Sequence, residues 1–154
     1  MAKFDYQSLP KKRMGAGCLF FNTQNEVLLV KPGYKPTWEI PGGIVEEDES
    51  PQQCCQREVH EELGLNKVID RLLVLDYNRR DGDKTESLMF VFYGGTLTTQ
   101  EIEQITLPDD ELVGFQFFTQ DGLPDALSES LRDRILRAWR QVGQSGTLYR
   151  ENVS

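Results

Sequence analysis

Three glutamates in one short segment have the types and spacing best suited to chemistry. Glu58, Glu61 and Glu62 stand at positions i, i+3 and i+4, so on a helix they would be neighbours on one face. Charges of the same sign held so closely repel one another, and the nearby Arg57 cannot neutralise all three. The arrangement is understandable if a cation binds there, because carboxylate oxygens suit hard ions such as Mg²⁺ and Mn²⁺. The alternative is a solvated acidic helix face without a ligand.

The helix that would carry these glutamates has clear boundaries in the sequence. Ser50 is a good N-cap, Pro51 suits the first helical position, and Gln53 stands where the partner in a capping box belongs. Gly64 is placed to end the helix in a left-handed conformation. The sequence therefore predicts a helix over Pro51–Leu63. Its apolar residues at spacing four are expected to face the core, and they are Cys55, Val59 and Leu63.

The segment from Gly43 to Leu65 resembles the signature of the Nudix hydrolase family, which reads G-x5-E-x7-R-E-U-x-E-E-x-G-U with U apolar. The preceding WEIPGG stretch, residues 38–43, also looks like the usual approach to that signature. The resemblance implies an α/β fold, an α/β/α sandwich with a mixed β-sheet between helices. It also implies a reaction in which water and a divalent metal cleave a nucleoside diphosphate linked to another moiety. Mg²⁺ is the implied cofactor, with Mn²⁺ as a substitute.

The resemblance implies roles residue by residue. The implied metal ligands are Glu58, Glu61, Glu62 and the carbonyl of Gly42. For Glu58 the resemblance leaves two roles open, that of a metal ligand and that of the general base. Arg57 and Glu49 resemble the pair that steadies the loop and orients the catalytic carboxylates. Such roles agree with the chemistry, because a bound metal neutralises a diphosphate and lowers the pKa of a bound water.

Many members of that family use one more carboxylate from outside the signature. The acidic residues that could supply it here are Glu101, Glu103, Asp109, Asp110 and Glu111. Glu111 is favoured, because it directly precedes a predicted strand and a strand would fix its position. Simple solvation of loop acids is the alternative for each of them.

Residues that could contact the substrate are predicted from their positions. Lys31 ends a predicted strand and could direct its positive charge towards phosphates, whereas Arg79 and Arg80 lie in a hairpin that could reach the site. Tyr34 and Trp38 could stack on a base. For Trp38 a place in the core is the favoured alternative, and for the cations it is plain solvation.

The elements that must position these residues follow from hydrophobic patterns. The predicted strands are Met14–Phe21, Glu26–Val30, Trp38–Ile40, Val68–Tyr77, Ser87–Tyr93 and Leu112–Phe118. Thr96–Asp110 is interpreted as an acidic loop, and Ser128–Val142 as an amphipathic helix whose arginines form its solvated face. From Gly143 onwards the chain forms either a short strand around Leu148 or a loose tail.

The composition sets limits on the class of protein. A chain of 154 residues with 38% hydrophobic residues is predicted to form one domain, 1–154, with loosely ordered tails at 1–13 and 144–154. Its net charge of −8 disfavours nucleic-acid polymers and anionic membranes as partners. Three cysteines and one histidine fit no zinc site, and they indicate reduced thiols in a cytoplasmic protein.

The expected function is pyrophosphohydrolysis of a small nucleotide or a nucleoside triphosphate. One alternative within the resemblance is a hydrolase of ADP-ribose or another nucleotide sugar. Two alternatives from other classes are a Nudix-fold nucleotide sensor without turnover and an acidic metal-buffering module. The expected partner is a small-molecule nucleotide, and a homodimer is an option that the sequence leaves open.

Overall fold

A mixed seven-stranded sheet forms the centre of the computed structural model, which describes residues 2–108 and 110–153. The strands are β1 (Arg13–Phe21), β2 (Val27–Pro32), β3 (Gly42–Ile44), β4 (Arg71–Asn78), β5 (Ser87–Thr96), β6 (Leu112–Phe118) and β7 (Leu148–Asn152). The helices are α1 (Pro51–Leu63), α2 (Thr99–Glu103) and α3 (Glu129–Val142), preceded by a single 3-10 turn at Tyr6–Ser8. The strand order is β6-β2-β1-β5-β4-β7, with β3 paired to β1 beside β2.

The sheet is mixed because two of its strand pairs are parallel and the others are antiparallel. β1 runs parallel to β5, and β4 runs parallel to β7. Helices α1 and α3 cover its two faces, each over its own apolar cluster. The predicted α/β sandwich with a mixed sheet between helices is therefore confirmed.

Alternation along β1 divides the core between the two faces. Cys18 and Phe20 join the cluster beneath α1, whereas Leu19 and Phe21 join the cluster beneath α3, as the two-residue period of a strand requires. The predicted apolar stripe of α1 is fully buried and consists of Cys55, Val59 and Leu63. Burial of a valine or leucine side chain stabilises a fold by about 1.5–3 kcal/mol.

The caps of α1 match the sequence prediction. The Ser50 hydroxyl accepts a hydrogen bond from the amide of Gln53 at 3.1 Å, and the Gln53 side chain accepts one from the Ser50 amide at 2.9 Å. Gly64 has φ of 70°, which is the left-handed conformation that ends the helix. These caps determine where α1 begins and ends, and its buried apolar stripe determines the direction in which its glutamates point.

The prediction of a strand over Trp38–Ile40 is wrong. Only Glu39 forms a bridge there, to Val30, and the chain pairs with β1 slightly later, through β3. Gly42 and Gly43 lie opposite Gly17 and Ala16, and a Cβ on Gly42 would lie 2.3 Å from the Ala16 carbonyl oxygen. A segment of glycines has little strand propensity, so its pairing depends on this close approach of two backbones.

Two further predictions need correction in detail. The segment interpreted as a loop, Thr96–Asp110, contains α2, because Thr98 and Glu101 form a capping box. The strand predicted to begin at Val68 begins at Arg71, and Val68 is exposed. Of the two alternatives for the C-terminal segment, the structure has the strand, β7. β6 has the predicted bounds, Leu112–Phe118, and the bounds of β1, β2 and β5 differ from the prediction by up to three residues at their ends.

The arginines of α3 are not all on a solvated face, as the sequence interpretation had them. Arg137 is buried, and it donates two hydrogen bonds to the fully buried carboxylate of Asp76 on β4, at 2.9 and 2.7 Å. Arg134 donates a third, at 2.9 Å. Burial alone would raise the pKa of Asp76, but the two guanidinium groups outweigh it and lower the pKa below its ordinary value. This ion pair therefore ties α3 to the sheet.

No helix in residues 2–108 and 110–153 has the length and apolar character needed to cross a membrane.

Candidate active site

Arg57 is the centre of a hydrogen-bond network that joins α1 to the loop before it. Its guanidinium donates to both carboxylate oxygens of Glu49, at 2.7 and 3.0 Å, in the bidentate geometry that gives strong pairs. It also donates to Glu58 at 2.9 Å and to Glu61 at 3.2 Å. The hydrogen bonds from Arg57 lower the pKa of Glu49 to about 2, and the carboxylates raise the pKa of Arg57. The loop and the helix are thereby fixed to each other.

Glu58 and Glu62 lie one helical turn apart, so their carboxyl groups are neighbours on α1. Glu62 is only 7% exposed, and burial, followed by its interaction with the carboxyl group of Glu58, raises its pKa to about 9. Burial also raises the pKa of Glu58, against the lowering effect of Arg57. Two carboxylates this close cannot both be charged at low cost, so a bound cation would relieve their repulsion.

The glycines before α1 bring backbone against these carboxyl groups. The amide of Gly42 donates to Glu62 at 3.3 Å. A Cβ on Gly43 would lie 2.3 Å from a carboxylate oxygen of Glu58. Only glycine permits this approach, which explains in physical terms why the segment needs a residue without a side chain at that position.

A cavity of about 610 Å³ opens beside the two glutamates. Its volume is in the range of small-molecule sites. Among its lining residues are Gly42, Gly43, Glu58, Glu62 and Glu111, together with Tyr34, Lys35, Met89 and Arg134. The cavity thus brings carboxylates from α1 and from the start of β6 to one place.

Of the carboxylates predicted from outside the signature, the structure brings Glu111 to this cavity. It lies close enough to Glu62 for its charge to contribute to the raised pKa of Glu62. Glu101 instead pairs with Lys67 at 2.6 Å. Glu103 and Asp110 are exposed and do not line the cavity, and Asp109 lies outside the described residues.

Glu61 differs from its two neighbours on α1. Its side chain is 52% exposed and is bound to Arg57, and it does not line the cavity. Across residues 2–108 and 110–153, no three side chains of His, Cys, Asp or Glu are already grouped as a metal site. The structure therefore brings Glu58 and Glu62 together but leaves Glu61 turned to the arginine.

Of the residues predicted to contact substrate, the structure brings some to the cavity and places others outside its lining. Tyr34 lines the cavity and is 76% exposed. The ammonium group of Lys31 donates to the carbonyl of Pro36 and lies 5.6 Å from the centre of the Trp38 ring, outside the lining of the cavity. Trp38 packs edge-on against Phe118, in agreement with the core alternative.

The two hairpin arginines also have different places. Arg79 lines a second cavity, whereas Arg80 is exposed and lines neither of the two.

Sequence reasoning did not identify two cations that line the first cavity, Lys35 and Arg134. Lys35 pairs with Glu39 at 2.5 Å and lies 5.7 Å from the centre of the Tyr34 ring. Its position in the same loop as Tyr34 is a signal that could have found it. Arg134 gave no such signal, because only tertiary contact with Asp76 distinguishes it from the other arginines of α3.

Comparison with known proteins gives a consistent picture. Residues 11–139 match the sequence model of the NUDIX domain. Diphosphoinositol polyphosphate phosphohydrolase 2 of Rattus norvegicus is 40% identical over 70 residues, which are 45% of this chain and 39% of that protein. The chain thus matches well under half the length of that curated relative.

Solved structures resemble this one over most of the chain. The MutT protein from Methanosarcina mazei Go1 superposes with a TM-score of 0.71 at 24% identity, covering 89% of this chain and 100% of that chain. A UDP-X diphosphatase superposes with a TM-score of 0.71 at 20% identity, covering 93% of this chain and 68% of that one. At these identities the likeness shows the fold.

Proposed function

The chain belongs to the NUDIX domain family, and we propose that it is a divalent-metal-dependent pyrophosphohydrolase. Its reaction would be attack of water on phosphorus, which cleaves a nucleoside diphosphate from the moiety linked to it. The observation that carries this proposal is the carboxyl pair of the partly buried Glu58 and the buried Glu62, packed against Gly42–Gly43 at the wall of a cavity large enough for a nucleotide.

The side chains at this site fit a hard divalent cation. Glu58 and Glu62 hold two like charges side by side, one partly and one fully buried, so added positive charge would stabilise the site. The available donors are oxygens, which Mg²⁺ and Mn²⁺ prefer. The proposed ligands are Glu58, Glu61, Glu62 and the carbonyl of Gly42. When bound, the metal would neutralise the diphosphate and lower the pKa of the attacking water.

The residues around the pair have positioning and proton-transfer roles in the proposal. Arg57 and Glu49 hold Glu58 in place through the hydrogen bonds described above. Because Glu58 is engaged by both Arg57 and Glu62, we assign it the role of ligand. Glu111 is exposed, lines the same cavity and makes no side-chain hydrogen bond within the described residues, so we assign it the role of proton acceptor.

The loop between β2 and β3 supplies the proposed substrate contacts. Tyr34 offers an exposed ring on which a base could stack, and the ammonium group of Lys35 lies beside that ring. A small nucleotide or nucleoside triphosphate is the proposed substrate, with ADP-ribose or another nucleotide sugar as the alternative. A nucleotide sensor or a metal buffer would share this architecture but would not turn over.

The experiment that tests the proposal measures phosphate and pyrophosphate release with Mg²⁺ and with Mn²⁺. The panel contains canonical and oxidised nucleoside triphosphates, ADP-ribose, nucleotide sugars, NADH and dinucleoside polyphosphates. Wild type should hydrolyse at least one compound only when metal is present. Glu62→Gln should lower kcat by about 10²-fold or more, because it removes a carboxylate from the reacting site.

Glu103→Gln is the matched control, since Glu103 is an exposed glutamate outside the cavity. It should behave as wild type. Equal rates for wild type and Glu62→Gln would contradict the assignment of this site. Absence of turnover across the whole panel, with nucleotide binding retained, would favour the sensor alternative.

A further inference from the structure

A second cavity, of about 590 Å³, lies beside the first and has the opposite character. Four cationic side chains line it, and the single carboxylate among its lining residues is that of Asp81. The cations are Arg13, Arg79, Lys84 and Arg134. The chain has a net charge of −8, so this cluster of cations has a sign opposite to that of the protein as a whole.

Most of this charge has no internal counterion. Arg13 donates to the carbonyl of Thr85 at 3.1 Å and to its hydroxyl at 3.5 Å, and both partners are neutral. In the part of the chain that the structure describes, the side chains of Arg79 and Lys84 have no ion pair or hydrogen bond. Only Arg134 is neutralised, by Asp76. Three mutually repelling cations around one depression lose their repulsion when an anion binds between them.

The second cavity adjoins the candidate active site. Met89 and Arg134 line both cavities, so the two share a wall. The thioether sulfur of Met89 lies over Gly15, where a Cβ would be 2.7 Å from it, and Gly15 lines the first cavity. A methionine side chain is flexible and adapts to irregular surfaces. A ligand long enough to contact both cavities would have to pass Met89, whose flexible side chain can move aside.

We infer that the second cavity binds a phosphate group on the part of the substrate remote from the cleaved diphosphate. This inference rests on the proposed function, because it assumes that the diphosphate lies at Glu58 and Glu62. Guanidinium groups bind phosphate through paired hydrogen bonds, and an ammonium group adds a compact charge. The substrate class is thereby narrowed to pyrophosphates that carry an additional phosphate ester.

The additional phosphate could belong to a nucleotide ribose or to a polyphosphorylated inositol, and matched substrates distinguish the two. NADPH against NADH, and ADP-ribose 2′-phosphate against ADP-ribose, each differ by one ribose phosphate. A diphosphoinositol pentakisphosphate represents the other source. If the cavity serves a ribose phosphate, we expect wild type to show a KM about tenfold lower for the phosphorylated member of each pair than for its unphosphorylated partner, which corresponds to about 1.4 kcal/mol.

The double variant Arg79→Ala, Lys84→Ala removes two of the cations that lack a counterion. If a ribose phosphate is bound, the two KM values within each matched pair should become nearly equal in this variant. If an inositol phosphate is bound, the KM for the diphosphoinositol compound should rise about tenfold. Arg80→Ala is the matched control, because Arg80 is the adjacent arginine and lines neither cavity. It should keep the wild-type ratio.

A binding measurement keeps the inference testable apart from catalysis. Isothermal titration of metal-free protein with inositol hexakisphosphate should show binding that weakens with salt and is lost in the double variant but not in Arg80→Ala. Thermal unfolding checks that each variant folds. Equal KM values within both ribose pairs in wild type, together with an unchanged KM for the diphosphoinositol compound in the double variant, would overturn the inference. Equal binding of inositol hexakisphosphate by wild type and double variant would overturn it as well. If no substrate is hydrolysed but the titration behaves as expected, the proposed function fails and the anion site stands.

Discussion

Glu111 was favoured from its place in the sequence, and the structure brings it to the candidate active site. Sequence alone offered five acidic residues between Glu101 and Glu111, and the reason to favour the last was that a strand follows it. The structure brings that residue to the wall of the cavity that Glu62 also lines, whereas Glu101 pairs with Lys67. A residue at a strand start is held by the sheet, so its carboxylate can be aimed at a site in a way that loop acids cannot.

Replacement of Glu111 by glutamine tests its proposed role in proton transfer. The amide cannot accept the proton of the attacking water, so kcat should fall by about 10²- to 10⁴-fold while KM changes little. The rate at higher pH should recover in part, because hydroxide replaces the missing base. The measurement is a pH profile of kcat with the best substrate of the panel.

Asp110→Asn is the control for that variant, since it alters the neighbouring exposed carboxylate, which does not line the cavity. It should leave the pH profile of wild type unchanged. An unaltered kcat in Glu111→Gln would refute the assignment and leave Glu58 as the remaining candidate for the base.

At the scale of elements, α1 was predictable because its signals are local. Ser50, Gln53 and Gly64 each act through neighbours within four residues, so their types suffice to place both ends. β3 was not predictable, because Gly42 and Gly43 have no strand propensity and pair only where β1 presents small residues to them. The cavity likewise depends on long-range packing. This is why Lys35 and Arg134 were missed although the glutamates of α1 were found.

The contact between β3 and α1 is expected to be sensitive to a single methyl group. In Gly43→Ala the added Cβ would meet the carboxylate of Glu58 at 2.3 Å, so either the side chain or the loop must move. We expect a loss of metal-dependent activity of at least tenfold. The free energy of unfolding should fall by about 1–3 kcal/mol, which is typical of overpacking.

Gly114→Ala is the matched control, because a Cβ at Gly114 would have no neighbour within 4 Å. Urea unfolding and kinetic assays of the two variants should separate local crowding from a general effect of alanine in a strand. Equal behaviour of both variants would show that the approach of backbone to Glu58 has no functional weight.

At the scale of the whole molecule, charge is distributed unevenly. The chain carries −8, but carboxylates gather at one cavity and cations at the next, with Arg134 on the wall between them. With a divalent metal bound at the carboxylates, a substrate with phosphates at both ends would be attracted locally although the protein as a whole repels it. The net charge could be counted from the sequence, but this separation depends on which strand ends meet. Cytoplasmic localisation and the homodimer stay predictions.

The buried carboxylate of Asp76 gives the whole fold an expected dependence on pH. The pKa of Asp76 is lowered in the folded protein by Arg137 and Arg134, against the effect of burial. The folded state therefore binds fewer protons than the unfolded state as pH passes below the ordinary value of 3.8. It follows that the stabilisation is fully present at neutral pH and is lost as pH falls from about 4 through the lowered pKa.

Asp76→Asn should remove this stabilisation and with it part of the acid sensitivity. Breaking a buried ion pair by removing one partner costs about 3–5 kcal/mol, because Arg137 would remain buried with only the half-exposed Asp133 as its counterion. The free energy of unfolding in urea, measured from pH 7 to pH 2.5, should differ between wild type and variant by this amount at pH 7. The difference should shrink as pH falls below 4, since protonation neutralises Asp76 in wild type as well.

Asp70→Asn alters an exposed carboxylate and should follow wild type throughout. A difference that stays constant over the whole range would mean that the carboxylate of Asp76 stabilises α3 on the sheet by packing and not by its charge.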